Sequence, residues 1–197
     1  FEKSIGVPCV HFNGAGGNIA AGKYNDGSPE MRPVLAGRIE AAMKKAWATT
    51  EKVPVSAKDL NWRTTPVDLP LAKDLIADEL HAGMKDERLT PNQKYDIAIR
   101  LAWVERIVGG KKPLVSSLRI GNTWLLNLPG EAFVEYQLAA KAMRPGDHVC
   151  TAAYEEYGPR YIGTRVAYSQ GGYEITQSFV SPDVEDVLME AIRKALQ

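Results

Sequence analysis

Leu114-Val115-Ser116-Ser117-Leu118-Arg119-Ile120-Gly121-Asn122-Thr123-Trp124-Leu125-Leu126-Asn127-Leu128-Pro129-Gly130-Glu131 holds two apolar runs joined by Gly121-Asn122 and closed by Pro129-Gly130. A two-residue connection of this kind between such runs predicts a β-hairpin. The strands of this chain therefore cannot all be parallel. The second run stops at Pro129-Gly130, a carboxylate follows, and a helical pattern then extends from about Glu131 to Ala142. This order places Glu131 at the carboxyl end of a strand and in the first turn of a helix. Open α/β sheets gather their chemistry at that edge. An acid there also has a plain structural use, because the helix dipole favours negative charge in the first turn.

Outward from the hairpin, the pattern is mixed. Val7 to Phe12 reads as a short buried strand that opens into the glycine-rich turn Asn13-Gly14-Ala15-Gly16-Gly17-Asn18. Ser28-Pro29-Glu30 is a helix start, with Ser as N-cap and Pro at the first helical position. Met31, Leu35, Ile39, Met43 and Trp47 then recur every four residues and predict one apolar face. Val53 to Leu69 reads as extended, and Leu71 to Ala82 as a short helix. Thr90-Pro91-Asn92-Gln93 has the form of a capping box and opens a helix that Gly109-Gly110 stops. His148 to Ala153 reads as a strand, and Ser181-Pro182-Asp183 caps a last amphipathic helix with Val184, Leu188, Ile192 and Leu196. The expected fold is α/β: a mixed sheet with at least one antiparallel hairpin, flanked by helices, in a single domain over residues 1–197.

Composition narrows the classes of partner. The 197 residues are 45% hydrophobic, enough for a core, and the 24 basic side chains balance the 24 acidic ones. That balance points away from nucleic acid and acidic membranes. No apolar run has the length of a transmembrane segment, and no signal peptide is visible. The start at Phe1, on what reads as the end of a helix, suggests a piece of a longer product. Cys9 and Cys150 lie far apart in apolar contexts and read as buried free thiols.

Several residues invite a chemical reading. Gly14-x-Gly16 after a strand suggests dinucleotide binding, but Ile19 stands where the third glycine belongs and the next clear helix waits until Ser28. The turn could equally be tight backbone without a ligand, or the wall of an active site. Downstream lie Tyr154, Tyr157, Tyr161, Tyr168 and Tyr173, which could be half-buried aromatics. Glu155 and Glu156 read as a solvated pair. Arg160 and Arg165 could meet an anionic substrate, though surface pairing is commoner. Of the histidines, His81 reads as helix surface, and His11 and His148 as strand residues.

The segments Leu118 to Gly121, Leu126-Asn127-Leu128-Pro129-Gly130-Glu131 and Tyr161-Ile162-Gly163-Thr164-Arg165-Val166-Ala167-Tyr168 to Glu174 resemble the neutral/alkaline, non-lysosomal ceramidase family. Asn13 to Asn18 sits where that family has its glycine-rich active-site turn. The resemblance runs in order from about Val7 to Glu174. It implies that the chain is the C-terminal part of a larger ceramidase-like catalytic domain, a zinc-dependent hydrolase of amide bonds. It carries the zinc-ligand roles to Glu131 and Tyr161, a contact with the scissile amide to Tyr173, and substrate contacts to Asn13, Gly14 and Asn18.

Two histidine ligands are then expected from an upstream part of the same polypeptide, since His11, His81 and His148 match no histidine motif of the family. The implied substrate is a small-molecule or lipid amide. The resemblance also points to a secreted or periplasmic parent. One departure matters: the loop serine of ceramidases proper is replaced by Ala20, and the loop aspartate by Asn18. Ceramide itself is thereby put in doubt, whereas attack by a zinc-activated water needs no serine. The alternative is a member of the same fold that serves binding or structure without catalysis. Zinc is expected in the full-length protein rather than on this chain alone.

Overall fold

The computed structural model describes residues 1–156 and 158–197; Tyr157, one of the tyrosines noted above, lies outside the described residues. The chain opens with a short helix α1 (Glu2–Ile5) and a long one, α2 (Met31–Ala48). Strand β1 (Leu60–Pro66) follows, then helices α3 (Ala77–Lys85) and α4 (Pro91–Val108). Thr90 and Gln93 cap α4 reciprocally, as their spacing predicts. Strands β2 (Leu114–Ile120) and β3 (Thr123–Pro129) form the hairpin. At its tip Gly121 takes φ 61°, a left-handed conformation that glycine reaches without strain. Then come the two-residue strand β4 (Glu131–Ala132), helix α5 (Val134–Met143) and strand β5 (His148–Glu155). A second short strand β6 (Tyr161–Ile162), helices α6 (Arg165–Gln170) and α7 (Tyr173–Thr176), and the long α8 (Val184–Ala195) complete the order.

The main sheet has the order β1-β2-β3-β5. The first two pairings are antiparallel and β3–β5 is parallel, so the sheet is mixed. Helices α5 and α8 cover one face. Trp124, Leu126 and Leu128 of β3 are buried there with Val184, Leu188 and Ile192 of α8, and with Tyr136 and Ala140 of α5. The alternation of β3 assigns the neighbouring side chains to the opposite face. On that face Trp62, Leu118, Leu125 and Cys150 stand in one cross-strand row. They line an open cleft of about 440 Å³ together with Val10 and Phe12.

Several expectations fail for identifiable reasons. Val7 to Phe12 forms no strand, and Val10 is 79% exposed; only the Asn13 carbonyl, accepting from Ala153 N–H at 2.9 Å, reaches the edge of β5. His11 therefore lies outside any strand. The apolar face of α2 is real in sequence, but among the described residues nothing covers it fully: Met31 and Leu35 are half-buried, Ile39, Met43 and Trp47 are exposed, and no residue of the helix is buried. The extended stretch begins only at Leu60, and the helix expected at Leu71 starts at Ala77. Cys9 and Cys150 are free but exposed rather than buried, since Cys150 points to the uncovered sheet face. Glu155 and Glu156 are not a solvated pair. Burial raises the pKa of Glu155, and Glu156 is bonded to Arg106.

Tyr136 ties α5 to the segment after β6: its hydroxyl donates to the Gly163 carbonyl at 2.8 Å inside the core. Burial, reinforced by nearby carboxylates led by Glu185, pushes its phenol well above the usual tyrosine value. Tyr136→Phe should cost about 1–3 kcal/mol, because it leaves a buried carbonyl without its donor. A phenol raised in the folded state contributes its full stability below the unfolded-state pKa of about 10 and loses it as pH rises toward the folded value. Melting temperature should therefore fall above about pH 10. The fall should be shallower in Tyr136→Phe, measured by calorimetry from pH 8 upward.

Candidate functional site

Gly130 decides where Glu131 points. Its φ is 59°, and a Cβ there would lie 2.5 Å from the Arg160 backbone oxygen and 2.7 Å from Pro159 Cγ. Its N–H donates to the Glu155 carbonyl at 2.9 Å, and its own carbonyl accepts from Tyr154 N–H at 2.8 Å. The β3–β5 register shifts between Asn127 and Pro129, and the chain leaves the main sheet at this point. Glu131 then starts a separate parallel ladder, opposite Tyr161, with Ala132 opposite Ile162. The Glu131 N–H donates to the Arg160 carbonyl at 2.7 Å, and Phe133 N–H donates to the Ile162 carbonyl at 3.0 Å. Helix α5 begins only after Phe133, so Glu131 is a strand residue and not a first-turn acid; Glu135 holds that place.

Partners in a ladder present their side chains to the same side. The Glu131 carboxylate and the Tyr161 phenol accordingly face one another. Burial first, then the charge of Glu131 and the neighbouring Tyr173, raise the pKa of Tyr161. Without a cation the phenol therefore keeps its proton. Tyr173, at the start of α7, sets its ring edge-on to Tyr161, with centroids 6.0 Å apart and planes at 73°. Tyr173 itself is 67% exposed. Glu131, Tyr161 and Tyr173 are thus brought together from three elements.

The glycine turn forms the wall behind them. Gly17 N–H donates to the Ala132 carbonyl at 3.0 Å, and a Cβ on Gly17 would lie 2.2 Å from the Glu131 carbonyl oxygen. Ala15 N–H donates to Gln137 Oε1 at 3.1 Å, and a Cβ on Gly14 would meet that same oxygen at 2.6 Å. Asn18 accepts from the Val134 N–H and donates to Glu135 Oε2, both at 2.9 Å. The side chain of Asn18 thereby caps α5 from outside its own sequence neighbourhood. Asn13 binds by its carbonyl to β5 and by its side-chain oxygen to His11 Nε2 at 3.0 Å. Asn18→Ala should lower stability by about 1 kcal/mol, the usual worth of a helix N-cap, in denaturant titration.

The other polar residues raised by the sequence lie elsewhere. His81 sits near Glu105 at 3.5 Å on the surface of α3 and α4, and His148 is exposed at the start of β5. Arg165 pairs with Asp183 at 3.1 Å and Asp186 at 2.6 Å; Arg160 donates to Gln177 at 2.8 Å and lies over Phe179. Both arginines are thus engaged within the fold, Arg160 at the edge of the hollow beside Glu131. Tyr168 bonds Ser178 at 2.8 Å, as a half-buried aromatic should. Tyr154 is half-buried as well, and it stands beside Glu131. It has φ 72°, and with Gly130, Glu131 and Arg160 it lines the small hollow beside the carboxylate. Nothing in its sequence neighbourhood marks that role, because the left-handed backbone that aims the ring is set by contacts with distant segments. Among the described residues, no three His, Cys, Asp or Glu side chains form a group able to hold a metal. Among the described residues, no helix is long and apolar enough to cross a membrane either.

Comparison with protein-family models finds no match, and neither does comparison with curated proteins. Comparison with solved structures does find matches. A neutral ceramidase from Pseudomonas aeruginosa superposes on 87% of this chain and 34% of its own, with 19% identity and a TM-score of 0.50. A ceramidase complexed with C2 matches 43% of this chain and 14% of its own, at 22% identity and a TM-score of 0.39. Over most of its length the chain has a fold found in a neutral ceramidase, and it spans about a third of that enzyme's chain.

Proposed function

We propose that this chain is part of a ceramidase-like, zinc-dependent hydrolase of an amide bond and supplies only part of its site. The observation that carries this reading is the ladder that sets Glu131 beside Tyr161, with Tyr173 against them and the glycine turn behind. A carboxylate and a phenol are oxygen donors that suit zinc in part. They do not close a site by themselves, so the remaining ligands would be two histidines from an upstream part of the same polypeptide. When bound, zinc supplies a water acidic enough to attack a carbonyl near neutral pH.

This chain's own residues would do the rest. Glu131 places a negative charge in the small hollow it lines with Gly130, Tyr154 and Arg160, and can accept a proton from the attacking water. The Tyr173 hydroxyl, exposed beside Tyr161, can donate to the carbonyl oxygen of the amide as charge develops there, an effect of about 3–4 kcal/mol in comparable sites. Asn13, Gly14 and Asn18 are proposed to bound the substrate through the turn's backbone, since the Asn18 side chain is already committed to α5. The substrate class is a small-molecule or lipid amide, the class to which the name of the structural neighbour points.

A second reading is a non-catalytic binding member of the same fold, favoured by Ala20 standing where the resemblance places a serine. Zinc content and hydrolysis of N-acyl amides, both measured on the full-length protein, separate the two. Near-stoichiometric zinc with turnover supports the enzyme. Zinc-free protein that binds such amides without cleaving them supports the binding member.

A further inference from the structure

The geometry points to Tyr154 as a further residue of this site, a hydrogen-bond donor to the substrate held in place by the absence of a side chain at Gly16. Three observations support it. First, Tyr154 has a left-handed backbone, φ 72°, which is costly for a bulky aromatic and rare outside glycine, asparagine and aspartate. Two more such non-glycine residues, Glu156 and Arg160, flank the same loop, so the strain is concentrated where the loop passes Glu131. The strained conformer is over-determined by its surroundings: Tyr154 N–H donates to the Gly130 carbonyl at 2.8 Å, and the preceding Ala153 N–H donates to Asn13 at 2.9 Å.

Second, the strained residue lies at the site. Tyr154 lines the hollow beside Glu131 rather than the core face covered by α5 and α8. Third, the hydroxyl reaches the glycine turn. A Cβ on Gly16 would stand 3.3 Å from the Tyr154 oxygen, closer than the two would settle without a shift of a few tenths of an ångström. Gly16 does not have a positive φ, so its backbone conformation does not demand glycine. What glycine supplies there is room for the hydroxyl.

This inference rests on the amidase reading, with the scissile carbonyl placed beside Glu131 and within reach of Tyr154. The test is a double-mutant cycle of Tyr154→Phe and Gly16→Ala in the full-length protein, with hydrolysis of N-dodecanoyl amides as readout. Tyr154→Phe keeps the ring and removes only the donor. It should lower kcat by roughly 10- to 100-fold, with KM and melting temperature little changed. Gly16→Ala should lower kcat in the parent, and by less than twofold in the Tyr154→Phe background, since its effect acts through the hydroxyl.

A purely structural tyrosine would lower melting temperature in Tyr154→Phe and leave kcat of the folded protein within twofold of the parent. Retention of kcat within twofold in Tyr154→Phe, while Glu131→Gln is inactive, would overturn the assignment of Tyr154 and leave the amidase reading standing. Absence of turnover in the unsubstituted protein with its full zinc would overturn the amidase reading and this inference together.

Discussion

Glu131→Gln should reduce amide hydrolysis by on the order of 10³-fold or more, with the fold intact. The backbone of Glu131 is held by its own N–H to Arg160 and by the ladder to Tyr161, and neither bond involves the side chain. Melting temperature should therefore move little. The carboxamide keeps the shape of the side chain but loses the charge, and with it both the anionic ligand and the proton acceptor. Zinc content should fall along with activity, read by metal analysis of the purified full-length protein. A variant that keeps full zinc and full turnover would return Glu131 to a merely structural place on the short ladder. Tyr161→Phe offers a graded comparison: it removes the second oxygen donor while Tyr173 can still stack edge-on against the ring.

Gly17→Ala is expected to have the largest effect on stability. Its Cβ would fall 2.2 Å from the Glu131 carbonyl oxygen and 3.1 Å from that of Ala132. Both are backbone atoms of a ladder, so no rotamer change relieves the clash. Either the turn withdraws and gives up the Gly17 N–H bond to Ala132, or β4 moves and takes the carboxylate with it. Overpacking of this kind costs about 1–3 kcal/mol, and more where backbone must shift. Urea titration of Gly17→Ala and Gly22→Ala gives a direct contrast. A Cβ on Gly22 meets nothing within 4 Å, so its replacement should stay within about 0.5 kcal/mol of the parent. Equal stability of the two variants would mean that the turn does not rest on the Glu131 strand.

Where local chemistry decides, the sequence reading holds. The Gly121-Asn122 hairpin, the Thr90/Gln93 capping box and the apolar stripe of α8 all appear where residues a few positions apart predict them. The misreadings share one cause. The stripe of α2 announces a helix that could bury a face, but periodicity cannot supply the partner that covers it. Val7 to Phe12 is apolar enough for a strand, yet a strand exists only if a neighbour pairs with it along its length. The acid after Pro129-Gly130 looks the same in sequence whether a helix or a ladder follows. The left-handed Gly130 and the carbonyl of Arg160 chose the ladder.

The order of residues alone was enough for a mixed α/β fold, a tight hairpin at Gly121-Asn122, and a carboxylate just after β3 with tyrosines about thirty residues later. Only the tertiary structure set Glu131 opposite Tyr161, laid the turn at Gly17 on Ala132, and twisted Tyr154 toward the same hollow. The reason is physical. Helix starts, caps and two-residue turns are settled by interactions within a few residues. A ladder between short strands is settled by which distant backbone groups come near enough to bond, and no local run of side chains records that.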